Sequence, residues 1–144
     1  PDAREQAAQW VRAHLPPGTR IGFPTVPWFY TPPLFPETGE LRWQDRLRYA
    51  QNAQPYRLIP LAPPEWNAEA LQTTLPEYLI ISEFEERDVR RIGRADYQAF
   101  MRIVNTRYTL EQQFTNEPPL LRRTDSMPHD LLYICPQVKV YRLR

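Results

Sequence analysis

Glycine, cysteine and lysine are scarce in this chain, and no apolar run in it is long. Its 144 residues include 4 Gly, 1 Cys and 2 His, and Lys139 is the sole lysine. A lone Cys135 excludes an internal disulfide and leaves the redox compartment undetermined. Four glycines supply no Gly-rich cradle for phosphates. The few His and Cys fall in no four-ligand spacing, so neither a metal nor another cofactor is expected. Apolar runs fall short of the roughly 20 residues that cross a bilayer, and no signal peptide is expected ahead of Pro1. Charge of one sign is also lacking, since 18 Lys plus Arg face 17 Asp plus Glu. A net charge of +1 offers no general field for phosphate backbones, which excludes nucleic acid as the expected partner.

What is present is apolar surface, proline and arginine. A 42% hydrophobic content with 4 Trp, 8 Tyr and 6 Phe suits a globular protein, while 17 Pro implies stiff, extended connections. A chain of this length is one ordinary domain, burying roughly two thirds of its unfolded surface. We therefore expect residues 1–144 to form a single domain, and a start at Pro-Asp without Met suggests a piece of something longer. Arginine favours planar bidentate pairing and aromatic stacking, so surface pairing accounts for its excess, as would a GC-rich coding sequence.

The stretch Leu75 to Gly93 organises the rest. Tyr78, Leu79, Ile80 and Ile81 form a short apolar run after Pro76, the pattern of a strand buried on both faces. Upstream, Asp2 caps a helix whose stripe is Ala3, Ala7, Trp10, Val11 and His14 or Leu15, stopped by Pro16-Pro17-Gly18. Strands are expected at Arg20 to Phe23 and Tyr56 to Leu61. Short helices are expected around Leu41 to Asn52, Glu65 to Thr73 and Glu85 to Ile92. Tyr97, Phe100, Met101, Val104 and Tyr108 make the cleanest helical stripe, followed by a half-exposed strand through Leu110, Gln112 and Phe114. Val138 to Leu143 reads as a last strand, antiparallel at an edge, where Lys139, Arg142 and Arg144 discourage unwanted pairing. The sum is an α/β fold in three layers: a mainly parallel sheet of about five strands, helices on both faces and an antiparallel C-terminal edge strand. Trp10, Ile21, Leu58, Leu79, Ile81, Phe100, Val104 and Val140 are its expected core.

Two stretches could carry chemistry. Glu83, Glu85, Glu86 and Asp88 follow the carboxyl end of the central strand, where open α/β sheets bind ligands. Such carboxylates can serve as acid and base or hold a cation; equally, acids simply suit a first helical turn. The loop from Pro24 to Pro36 holds Trp28, Phe29, Tyr30 and Phe35 on a proline-stiffened backbone. Rings held that way are platforms for sugars, lipids or proteins, or else cover for the sheet. A third group, Asp125, His129 and Asp130 near Ser126, lacks a convincing nucleophile and reads as turn chemistry. No catalytic residue is assigned.

Beyond these features, D-A-R-E-Q-A-A-Q-W-V-R-A-H-L-P-P-G-T-R-I-G at the start resembles the segment after the last membrane span of polytopic GT-C glycosyltransferases, of the protein mannosyltransferase and lipid A aminoarabinose transferase type. P-E-Y-L-I-I-S-E-F-E-E-R, the run from Tyr97 to Phe114 and the ending P-Q-V-K-V-Y-R-L-R are similar to later parts of those tails. The resemblance spans nearly the whole chain and describes a scaffold. It implies a soluble accessory domain on the extracytoplasmic face of a membrane enzyme that uses a polyprenyl-phosphate sugar donor. Its partner would be the membrane-embedded part of the same chain, with a glycan or lipid-linked sugar as ligand, and catalysis would lie outside this segment. A free-standing carbohydrate- or protein-binding module is the alternative.

Overall fold

The computed structural model describes residues 2–27, 30–34, 55–116 and 137–144. Its elements, in chain order, are α1 (Ala3–His14), β1 (Arg20–Phe23), β2 (Arg57–Pro60), α2 (Ala68–Thr74), β3 (Tyr78–Ser82), α3 (Glu83–Arg91), α4 (Ala95–Arg107), β4 (Tyr108–Phe114) and β5 (Val138–Leu143). The expected Leu41 to Asn52 helix and the Asp125 to Asp130 loop lie outside the described residues. Among the described residues no helix is long and apolar enough to cross a membrane.

Helix starts follow local chemistry. Asp2 accepts hydrogen bonds from the N–H groups of Arg4 at 2.9 Å and Glu5 at 3.2 Å, and the Arg4 guanidinium closes on the same carboxylate at 2.7 Å. These contacts hold the Asp2 carboxyl below its usual range, led by the Arg4 side-chain hydrogen bond. α2 begins later than the sequence pattern suggests, because the Asn67 side chain accepts from Ala70 N–H at 3.0 Å and makes that residue the cap. Trp66 therefore stands outside the helix at φ 54° and packs edge-on against Tyr97 and Phe100.

β3 is covered on both sides. Ile80 joins one apolar cluster with Ala3, Ala7, Val11, Ile21 and Phe23, whereas Leu79 and Ile81 join another with Trp66, Leu71, Phe100 and Val104. Successive side chains of a strand point to opposite faces, so this division follows from the period of two. The expected core residues are buried except Trp10, which is half-buried because Ala7, Ala8 and Val11 carry the inward face of α1. Trp10 sits at the rim, stacked on exposed His14 and touching Tyr78 and Phe114 edge-on or tilted.

The sheet is five-stranded and mixed, in the order β2-β1-β3-β5-β4. β1 pairs parallel with β2 and with β3, while β5 pairs antiparallel with both β3 and β4. Two corrections follow. The ladders divide evenly between parallel and antiparallel, so the sheet is not mainly parallel. The C-terminal strand is antiparallel as expected but lies inside the sheet, and β4 takes the edge. β5 tolerates that place because Val138 and Val140 are fully buried and Lys139 finds an acidic partner beneath the sheet. β4 shows why alternation misled: a bulge between Leu110 and Gln112 shifts its phase, so Tyr108 enters one cluster and Phe114 packs on the other. Leu110 is left 46% exposed.

Gly22 reveals how closely β1 and β3 approach their cover. A Cβ there would stand 2.6 Å from Pro76 Cγ and 2.8 Å from Leu79 Cδ2. The pyrrolidine ring cannot swing aside, so Gly22→Ala should destabilise by about 1 to 3 kcal/mol, read from the urea midpoint. An unshifted midpoint would show that this contact yields freely.

Candidate functional site

In the order β2-β1-β3 the chain leaves β1 for a neighbour on one side and later returns to its other side. The crevice beyond the carboxyl ends of β1 and β3 is thus a topological switch point, where α/β sheets characteristically bind ligands. Two short stretches converge there: the one after β1, including Thr25 and Tyr30, and the one after β3, Ser82 to Glu86.

Ser82 caps α3 and Glu85 answers it in a capping box, its Oε1 accepting the Ser82 N–H at 2.9 Å. That bond holds the Glu85 side chain beside the strand end and leaves Oε2 for a second partner. The buried Thr25 hydroxyl donates to Oε2 at 2.5 Å and lies 2.9 Å from the Tyr30 hydroxyl. The Tyr30 ring in turn stacks on Phe84, centroids 5.4 Å apart and planes 20° from parallel. Trp66 N–H donating to the Pro24 carbonyl at 2.8 Å pins the start of the loop. Burial pushes the Glu85 carboxyl up to about 8, against the pull of its hydrogen bonds from Thr25 and Ser82, and the charges of Glu86 and Glu65 push the same way as burial. With its pKa raised in this way, the carboxyl can hold a proton at neutral pH.

Glu86 points elsewhere. Only 2% exposed, it accepts from the Tyr97 hydroxyl at 2.7 Å and pairs with Lys139 at 3.3 Å, joining α3 to α4 and β5. Burial, then the bond to Glu86, raise the Tyr97 hydroxyl above its ordinary range; burial pushes Tyr141 up to about 12, with Glu86 adding to it. Asp88 makes an exposed pair with Arg91 at 3.7 Å, worth little in water. Glu83 takes the first position of α3, its N–H donating to the Gln137 carbonyl at 2.8 Å.

Of the sequence-predicted residues, the structure brings Tyr30 and Glu85 into one constellation and sends Glu86 and Asp88 away from it. Trp28, Phe29 and Phe35 lie outside the described residues. Among the described residues no group of three or more His, Cys, Asp or Glu could hold a metal ion. Thr25 and Phe84 escaped the sequence reading, and Lys139, read there as an edge charge, pairs with Glu86 instead. The S-E-F-E pattern at Ser82 to Glu85 is a capping-box signature and could have separated Glu85 from its neighbours. Nothing local announced Thr25. Compared with protein-family models, curated proteins and solved structures, the chain matches none.

Two outcomes check this geometry. The Glu85 carboxyl titrates near 8 when folded against a reference value of 4.5, so the folded chain binds more protons between these values. Stability should therefore fall as pH rises through that window, by up to about 5 kcal/mol if the whole of it is crossed, and Glu85→Gln should flatten the decline. Denaturant midpoints at mildly acid and mildly alkaline pH measure it. Lys139→Met should cost about 3 to 5 kcal/mol by stranding the buried Glu86 charge, and adding Glu86→Gln should recover much of that loss in the same assay.

Proposed function

We propose that this chain is a glycan-binding accessory domain of a membrane glycosyltransferase that uses a polyprenyl-phosphate sugar donor. It acts at the extracytoplasmic face, beside the membrane-embedded part of the same chain, and catalysis is supplied there. The observation that carries the binding role is the Tyr30–Phe84 stack held next to the Thr25–Glu85 hydrogen bond at the switch point. A flat ring face accepts the apolar face of a sugar, and an adjacent protonatable carboxyl pairs with its hydroxyls. The enzyme and its location follow from the family resemblance. The same reading takes the domain as three layers, supported by α1 in one apolar cluster and α2, α3 and α4 in the other.

A tethered domain gains effective concentration from its attachment, so affinity for an isolated oligosaccharide should be weak, on the order of millimolar. Titration of neutral oligosaccharides followed by NMR should move signals of Tyr30, Phe84 and Glu85. Tyr30→Ala and Phe84→Ala, each still melting cooperatively, should weaken binding about tenfold, a loss of about 1.4 kcal/mol. Unchanged titration curves in both folded variants would remove the crevice from consideration.

A further inference from the structure

The amino ends of the strands, opposite the crevice, carry a row of arginines. Arg57 and Arg20 open β2 and β1 and lie side by side in the register. Across β3, Arg142 stands opposite both Tyr78 and Thr109. Arg144 N–H donates to the Arg107 carbonyl at 2.9 Å, which brings the end of β5 to the junction of α4 and β4. Among the described residues Glu77 is the acidic residue lying within the row. The strands set the backbones of these residues across roughly 20 Å at the usual strand spacing, with Arg20 and Arg57 in one side-chain phase and Arg142, paired with Tyr78, in the other, so the arginines surround the end of the sheet from both faces.

Among the described residues these groups are not consumed by internal ion pairing. Arg57, Arg107 and Arg142 are exposed and have no side-chain hydrogen bond or ion pair among the described residues. Arg20 and Arg144 are fixed by backbone carbonyls and a hydroxyl, Arg20 on Thr74 at 2.5 Å and Arg144 on Thr109 at 3.0 Å, and both keep their charge. Arg20 and Arg107 approach from different elements to act on one buried phenol: burial pushes Tyr108 up to about 12 while both arginines pull it back. The whole chain carries only +1, so the basic character of this end among the described residues is local.

We propose that the amino end of the sheet is a docking face for the anionic headgroups of a phospholipid surface. A row this wide exceeds what a single phosphate could bridge and matches many phosphates in a plane. Guanidinium forks bind phosphate oxygens in pairs. Among the described residues the arginines here stand on strand ends and a helix end, with no helix of this end shown projecting as a groove reader. Of the tyrosines there, Tyr56 and Tyr108 are buried and half-buried Tyr78 packs edge-on against Trp10, so none is a free stacking platform for single strands. The inference is independent of the glycan reading, which concerns the opposite end.

The test is sedimentation of the 144-residue chain with phosphatidylglycerol-rich vesicles and with pure phosphatidylcholine vesicles. Binding should require the anionic lipid and weaken as salt shortens the screening length. Each exposed arginine removed should cost about fivefold, so Arg57→Ser, Arg107→Ser and Arg142→Ser together should cost roughly a hundredfold. Glu77→Gln should strengthen binding. Equal affinity for the two vesicle types, undiminished binding by the folded triple variant, or retention on duplex DNA without vesicle binding would each overturn the proposal.

Discussion

A strand that is apolar on both faces cannot meet water on either, and β3 imposes that condition on everything around it. Leu79 and Ile81 demand cover from one apolar cluster, with Leu71, Phe100 and Val104, and Ile80 from another, with Ala3, Ala7 and Val11. The strand cannot be an edge either, since buried ladder groups on an open flank would find no partner. β1 closes one flank in parallel and β5 closes the other in antiparallel. The mixed character of the sheet is thus a consequence of which segment reaches that second flank.

The same strand end explains how neighbouring carboxylates acquire unlike chemistry. Glu85 turns back to the Ser82 N–H and meets Thr25, whereas Glu86, one helical step further on, is directed to Tyr97 and Lys139. One has neutral hydrogen-bonding partners and a raised pKa, and the other is neutralised by the single lysine of the chain. A difference of about 100° around a helix is enough to separate a carboxyl held among neutral partners from an ion-paired tie between elements.

Much of this architecture was legible in the residues. β1, β3 and β5 begin and end where their patterns do, because β-branched and aromatic runs bounded by proline or polar residues leave little choice. The parallel relation of β1, β2 and β3 also followed from alternation with helical segments. What could not be read was long-range. Nothing within Val138 to Leu143 says that it inserts between β3 and β4, since its charges look suited to an edge until Glu86 is placed below Lys139. Thr25 was invisible for a similar reason: its meaning comes from a partner sixty residues away. Trp10 was misplaced by its size, because three small or branched residues on the neighbouring face of α1 allow a closer approach than an indole would.

The bulge in β4 carries a consequence of a different order. Because one extra residue near Glu111 turns the strand over between Tyr108 and Phe114, the number of residues in that segment matters more than their chemistry. Thr109 to Gln113 face water and would accept many substitutions, yet shortening the segment by a single position would exchange inside for outside along the rest of the strand. Variation along β4 should therefore be free in spelling and fixed in length, a constraint that substitution scanning would miss and a single-residue deletion would expose.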